Sequence, residues 1–364
     1  MKLKNIITKL EEFAHPALQE SYDNPGLLIG DRDQEISGVL ITLDVTEAVL
    51  EEAAQKSCNL IVAHHPVIFK GLKSITGKNF VERIVKIAIK NDIAIYAIHT
   101  NLDNVKHGVN GNLAQKLGLT NTRILAPQKE MLRKLATFCP TEHADAVREA
   151  MFSAGAGHIG NYDSCSFNAE GKGTFRGSED TNPFVGEKGK LHFEQEIRIE
   201  IIYPVYLENK IISSMIQAHP YEEVAYDIYP LANEFAETGA GMIGELDKPI
   251  DPLQFLEFVK SLTGTPCIRH SEIIKKPVQK IAVCGGAGSF LIGDAIRAGA
   301  DMFITGDVKY HDFFEADGKL IIADIGHYES EQFAKDLILS ILIENFSNFA
   351  VLISETRTNS VNYL

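Results

Sequence analysis

The chain has 364 residues, 45% of them hydrophobic, and its 35 basic against 49 acidic side chains give a formal net charge of -14. That charge repels phosphate backbones and excludes broad electrostatic binding to nucleic acid, while the length, set against a prior of about 150 residues per domain, asks for two or three folding units. No stretch approaches the roughly 18 continuous apolar residues of a membrane helix, so no membrane partner is expected and the cytoplasm is the expected location.

The opening MKLKNIITKLEEF reads as an amphipathic helix rather than a signal peptide. GVLITLD (38 to 44), TEAVLEEAAQK, NLIVAHHP, a helical run from Phe80 to Ile89 and IAIYAIHT then alternate strand and helix in the α/β manner. After Gly118 the pattern changes. From about Lys134 it reads strand (LATFCP), helix (Glu142 to Phe152), a long stretch rich in Gly, Asn and Ser (Ala154 to Gly189), strand (EIRIEIIYP), helix (Leu207 to Ala218) and strand (VAYDIYPL). This β-α-β-β-α-β-like order predicts a small ferredoxin-like α+β domain inserted into the larger one, and the Gly-rich stretch reads as a functional or disordered loop. From Pro249 the α/β pattern resumes with a helix (Leu253 to Leu262), KIAVCGG, a helix from Ser289 to Ala298, MFITGD, KLIIADIG and the helix SEQFAKDLILSILIENF. The predicted fold class is thus α/β, a layered α/β domain in two sequence halves, 1–125 and 239–364, around an inserted domain at 126–238.

Five cysteines (58, 139, 165, 267, 284) are scattered and never form a CxxC pair, so neither a disulfide framework nor a thiolate zinc knuckle is indicated, and they read as buried thiols. The chemistry lies elsewhere. Four segments place ligand-type residues directly after an apolar strand: His64-His65 in IVAHHP, His99 and Asp103 in HTNLD, Asp307, His311 and Asp312 in GDVKYHD, and His327 with Glu331 in IGHYESE. Two adjacent imidazoles at the end of a buried strand are costly unless something binds them. The i, i+4 spacing of His327 and Glu331 lets them converge if a helix begins near Tyr328, although an exposed helix pair would look the same in isolation. Imidazole and carboxylate donors without thiolate suit two divalent ions, zinc first, with iron, manganese or nickel also accepted. A glutamate able to use both oxygens is the usual bridge between such ions.

Other readings stay open at this level. His99 serves as a ligand or stands behind one, and Asp103 and Asp307 equally suit helix N-caps. CGGAGS (284 to 289) offers amides for an anion or simply packs tightly, and Lys309 with His311 offers a phosphate contact and a proton donor or a solvated loop.

These residues resemble the NIF-three-like proteins, catalogued as GTP cyclohydrolase I type 2 homologues, through SYDNPGLLIG, LDVTEAVLEEA, VAHHP, HTNLD, TGDVKYHD and IGHYESE. Tyr22 departs from the Trp many members carry and keeps an aromatic wall there. The resemblance implies a dinuclear centre in which His65 and Asp103 hold one ion, His64 and His327 the other, and Glu331 bridges both. It also implies a toroidal homohexamer with the centres facing an internal cavity. The middle segment, marked by GAGHIGNYDSCSF, GTFRG and HPYEEVAYDI, is similar to the PII and CutA trimeric domains inserted in longer members, which by that likeness would cover the ring's openings.

Two functions follow as expectations. The first is a metal-dependent hydrolase acting on a small, nucleotide-like substrate, in the catalogued activity the guanine ring of GTP, with His99 and His311 as the acid-base candidates. The alternative is a non-enzymatic assembly that delivers or senses metal under control of the inserted domain.

Overall fold

The structure, a computed structural model, describes residues 1–364. It contains fifteen strands: β1 (Gly26–Ile29), β2 (Val39–Thr42), β3 (Leu60–Ala63), β4 (Ala94–Ala97), β5 (Thr120–Gln128), β6 (Leu132–Pro140), β7 (Ser166–Phe175), β8 (His192–Pro204), β9 (Tyr226–Pro230), β10 (Phe235–Ile250), β11 (Arg269–His270), β12 (Val278–Ala287), β13 (Met302–Gly306), β14 (Ile321–Asp324) and β15 (Val351–Ile353). The chain divides into one compact unit built from Met1–Pro127 and Glu237–Leu364, and a second built from Gln128–Ala236.

The first unit holds two sheets, ordered β1-β4-β3-β2-β15 and β11-β14-β13-β12-β10-β5. In each, three consecutive strands run parallel: β2, β3 and β4 in one, β12, β13 and β14 in the other. Parallel strands covered on both faces read as unbroken apolar runs, and LIVA of β3 shows why. Leu60 and Val62 enter the core shared with the helices Leu3–Phe13 and Ala334–Asn345, while Ile61 and Ala63 enter the core on the opposite face, shared with Glu47–Gln55 and Phe80–Lys90. Thr46 and Asn79 cap the last two helices by accepting from the Val49 and Glu82 amides.

One strand of this unit carries little sequence signal. β10 runs sixteen residues but contains Gly239, Gly241 and Gly244, which weaken strand propensity. The glycines are there for contact: a Cβ on Gly239 would lie 2.2 Å from the Ala126 carbonyl oxygen of β5, and one on Gly244 2.9 Å from that of Thr120. The terminal helix also differs from expectation, breaking into His327–Glu331 and Ala334–Asn345.

In the second unit the four strands order β7-β8-β6-β9 with antiparallel neighbours, and the chain runs β6, helix Ala144–Ser153, β7, β8, helix Glu208–Ala218, β9. This is the ferredoxin-like connection order. Leu135, Val147, Met151, Ile199, Ile201 and Met215 fill its core. The stretch from Ala154 to Gly189 is not all loop, because β7 lies within it and pairs with β8 from Ser166 to Phe175. Its polar composition reflects a strand exposed along most of its length. The cysteine expectation also needs amendment. Cys58, Cys139 and Cys284 are buried, but Cys165 is half-buried and Cys267 exposed.

Candidate metal centre

Ligand-type side chains gather where the parallel strands of both sheets end, the edge at which α/β folds place their chemistry. Asp44 follows β2, His64 and His65 follow β3, His99 and Asp103 follow β4, Asp307 follows β13 and His327 follows β14. Three sets of donors converge closely enough to hold a metal ion: His64, Asp103 and Glu331; His65, His327 and Glu331; and His64, His65 and His99, the donor atoms within each set lying within 4.8 Å of one another.

Each imidazole is fixed through Nδ1. His64 Nδ1 meets the Ile98 carbonyl at 2.9 Å, His65 Nδ1 the Asp44 carboxylate at 2.8 Å, His99 Nδ1 that of Asp23 at 2.8 Å, and His327 Nδ1 that of Asp307 at 2.7 Å. With an oxygen acceptor behind it, each Nδ1 carries a proton and turns Nε2 away from the backbone, the orientation of metal-binding histidines. Asp44, Asp23 and Asp307 thereby join the site. Asp23 lies in a segment read above only as a family mark and Asp44 ends a segment read as a strand, and only the folded pairing reveals their role.

Glu331 Oε2 lies 2.9 Å from His65 Nε2, 3.1 Å from His327 Nε2 and 3.9 Å from His64 Nε2. His64 Nε2 lies 3.6 Å from Asp103 Oδ1, and both atoms are buried without a hydrogen-bond partner. The two sets that include Glu331 put His64 with Asp103 and His65 with His327, whereas the resemblance implies His65 with Asp103 and His64 with His327. In the short helix His327–Glu331 the i, i+4 spacing brings both side chains to one point.

The protonation states follow from these neighbours. Burial, with weaker opposition from Glu331, pushes His64 down to about 3, so it is a neutral donor and its contact with Asp103 is not an ion pair. Burial also works against charge on His65, but its hydrogen bonds to Asp44 and Glu331 outweigh this and lift it to about 10. His327 reaches about 9 against the same opposition through Glu331 and Asp307. The two buried carboxylates separate. Burial raises both, but the His327 and His65 bonds hold Glu331 well below the usual range, whereas Asp103, with no donor and with Glu331 beside it, stays well above it. Asp23 is pulled to about 2 despite its burial by the bonds from His99 and Thr100.

The glycine-rich end of β12, with Gly288 just beyond it, packs tightly rather than presenting an anion cradle. The amides of Gly285, Gly286 and Gly288 donate to Asn110, Ser330 and Thr305, and a Cβ on Gly286 would lie 2.3 Å from Glu331 Oε1. His311 is exposed on the 3₁₀ turn Tyr310–Ala316, with its ring against Tyr310. Neither it nor Lys309 lines the cavity of about 1310 Å³ over the centre, whereas His99, Tyr22, Phe69, Phe290, Tyr328 and Tyr363 do. No helix is long and apolar enough to cross a membrane.

The Duf34/NIF3 (NGG1p interacting factor 3) family model matches residues 1–360. A protein of Halalkalibacterium halodurans named "GTP cyclohydrolase 1 type 2 homolog" is 42% identical, with 100% of both chains covered, and one of the same name from Bacillus subtilis is 41% identical over 99% of this chain and 98% of its own. A crystal structure of a Bacillus cereus protein related to NIF3 superposes with a TM-score of 0.87 at 41% identity, covering 100% of this chain and 99% of that one. On a match that runs nearly from end to end, and on relatives this similar over their whole length, the chain belongs to the Duf34/NIF3 family.

Proposed function

We propose that His64, Asp103, His65, His327 and Glu331 hold two divalent cations, zinc first, and that the chain is a metal-dependent hydrolase for a small, nucleotide-like substrate. The observation that carries the reading is the pair of buried, partnerless atoms, His64 Nε2 and Asp103 Oδ1, facing each other at 3.6 Å. Buried polar atoms are nearly always satisfied, and leaving two bare costs several kcal/mol. A cation shared by both satisfies them and keeps Asp103 ionised. The donor set is nitrogen and carboxylate oxygen, which zinc, iron, manganese and nickel all accept. Cys284, whose burial pushes its thiol far up, contributes no thiolate.

Divalent cations held here supply Lewis acidity and bring the pKa of water toward neutrality. Asp44 and Asp307 keep the His65 and His327 rings in the donating tautomer, and Glu331 offers its charge to both donor groups. His99, oriented by Asp23 with its ring 5.2 Å from that of His64, is the group placed to move a proton in the cavity. The lining contains one strong cation, Arg269, already bonded to Asp324 and to the Val308 carbonyl. Substrate anionic charge therefore falls to the metal centre, and the aromatic rim, Tyr22 and Phe69 included, meets the planar part of the substrate. The ferredoxin-like second unit fits a PII/CutA-like regulatory insert.

The sparse set of proton-transfer groups, with His311 and Lys309 outside the lining, favours a second reading: an assembly that stores or delivers metal without turnover. Protein loaded with zinc, manganese or iron and offered GTP, other nucleotides and phosphodiesters separates the two, since turnover with none of them leaves only the second. Elemental analysis tests the centre itself. Glu331→Gln is expected to lower occupancy of both ions and His327→Ala to empty mainly one; full occupancy in Glu331→Gln would remove Glu331 from the centre.

A further inference from the structure

We infer that the segment Ser354–Ser360, after β15, is a clamp on the metal centre, with Thr358 and Asn359 as positioning residues that act through Asp44 and Glu329. The inference rests on the metal reading above. β15 runs parallel to β2, so the chain leaves the sheet beside Asp44, which follows β2. It is rooted at once on Glu52, in the helix Glu47–Gln55, whose carboxylate accepts from Ser354 Oγ at 2.6 Å, the Glu355 amide at 2.8 Å, the Thr356 amide at 3.2 Å and Thr356 Oγ1 at 2.7 Å.

The next residues go to the site. Thr358 Oγ1 donates to Asp44 Oδ2 at 2.9 Å, while Asp44 Oδ1 accepts from His65 Nδ1 at 2.8 Å. Both carboxylate oxygens are then committed, and the plane that aims His65 is fixed from behind. Asn359 Nδ2 donates to Glu329 Oε1 at 2.8 Å. Glu329 is buried within the helix His327–Glu331, and its other oxygen lies where a Cβ on Gly326 would be 2.3 Å away. Two successive residues thus reach the His65 side of the centre, supplied by the first sheet, and the His327–Glu331 side, which follows the second. Packing gives no alternative account of the segment: only Ser354 in it is buried, and the bonds cited run to carboxylates.

Coupling of this kind is reciprocal. If docking of the segment tightens the metal, the metal tightens docking by the same factor, and the Glu355 and Thr356 amides report it through hydrogen exchange. The test uses the full chain, stripped with chelator and titrated with zinc alone in competition with a chromophoric chelator. Thr358→Val is expected to weaken zinc about tenfold, the lower end for residues behind a metal ligand, and Thr358→Ser to restore wild-type affinity. Saturating zinc is expected to slow exchange at Glu355 and Thr356 in the wild type by about the same factor, about 1.4 kcal/mol, and not in Thr358→Val. Glu52→Ala, which frees the root without touching the centre, reports the same loss if Thr358→Val folds poorly. Zinc binding within twofold of wild type in folded Thr358→Val, or exchange indifferent to zinc, overturns the clamp; absence of zinc uptake by the wild type removes the metal reading itself and the clamp with it.

Discussion

Gly286→Ala adds one methyl group and removes no donor, yet it should empty the proposed metal centre. Gly286 sits at φ 62°, and the added Cβ would stand 2.3 Å from Glu331 Oε1 and 3.3 Å from His327 Cε1. The Glu331 carboxylate must then retreat by about 0.7 Å, the gap between 2.3 Å and the 3.0 Å floor for such contacts. Its other oxygen is tied to His65 and His327, so the retreat breaks the arrangement that serves both donor groups. Metal–oxygen distances tolerate about 0.2 Å, and losing one shared carboxylate should weaken metal at least about 100-fold, beyond the 10–100-fold typical of residues one step removed. The fold should survive, because an alanine in the left-handed region costs about 1–2 kcal/mol against a typical stability of 5–15 kcal/mol. Gly318→Ala is the control: φ is 64° there and no atom lies within 4 Å of its Cβ, so it carries the backbone cost alone. Elemental analysis after desalting and a competition titration measure the outcome, with melting in chelator to follow stability. Gly286→Ala that stays folded and retains wild-type metal content and affinity would refute the placement of Glu331 between the two donor groups.

Asp44→Asn replaces the anionic acceptor behind His65 with an amide and is expected to cost 10–100-fold in zinc affinity; an unchanged titration would dismiss Asp44 as an orienting group. Asp23→Asn should lower turnover while leaving metal content intact, because Asp23 holds His99 and no other imidazole, and loss of metal instead would make His99 a ligand. In chelator-treated protein, His65 at about 10 and His327 at about 9 lie above the ordinary 6.5, so the folded state keeps protons that the unfolded chain releases. Their stabilisation is complete below about pH 6.5 and is lost as pH rises through 9 to 10, which predicts a falling melting temperature across that window. A rising melting temperature there would contradict the imidazole–carboxylate network.

The elements legible in the sequence are those whose burial leaves a pattern. β3 and β13 read as LIVA and MFITG because both faces are covered, and each is followed directly by ligand-type residues. β7 and β10 hide for opposite reasons. β7 lies exposed along a sheet edge and has no apolar alternation, whereas β10 gives up side chains at Gly239, Gly241 and Gly244 so that it can approach β5 and its other neighbours. Propensity measures fit to a half-buried pleat, and neither strand lies on one.

The site divides along the same line. His64, His65, Asp103, His327 and Glu331 are candidates in the sequence because their segments follow apolar strands, and the structure brings their donor atoms near one another. His311 follows the same rule and fails it: the backbone turns through the left-handed Asp307, at φ 53°, and then a 3₁₀ turn that leaves the His311 ring in solvent, while the Asp307 carboxylate stays on the His327 ring. Position after a strand selects candidates, but the backbone between strand and side chain decides which of them point inward. Asp23, Asp44 and Thr358 carry no mark of their own, because a carboxylate or hydroxyl behind an imidazole is defined by its partner, and those partners lie 76 residues from Asp23, 21 from Asp44 and, through Asp44, 314 from Thr358. A donor set can be read one strand end at a time; the groups that aim it exist only as pairs, and the pairs are made by the fold.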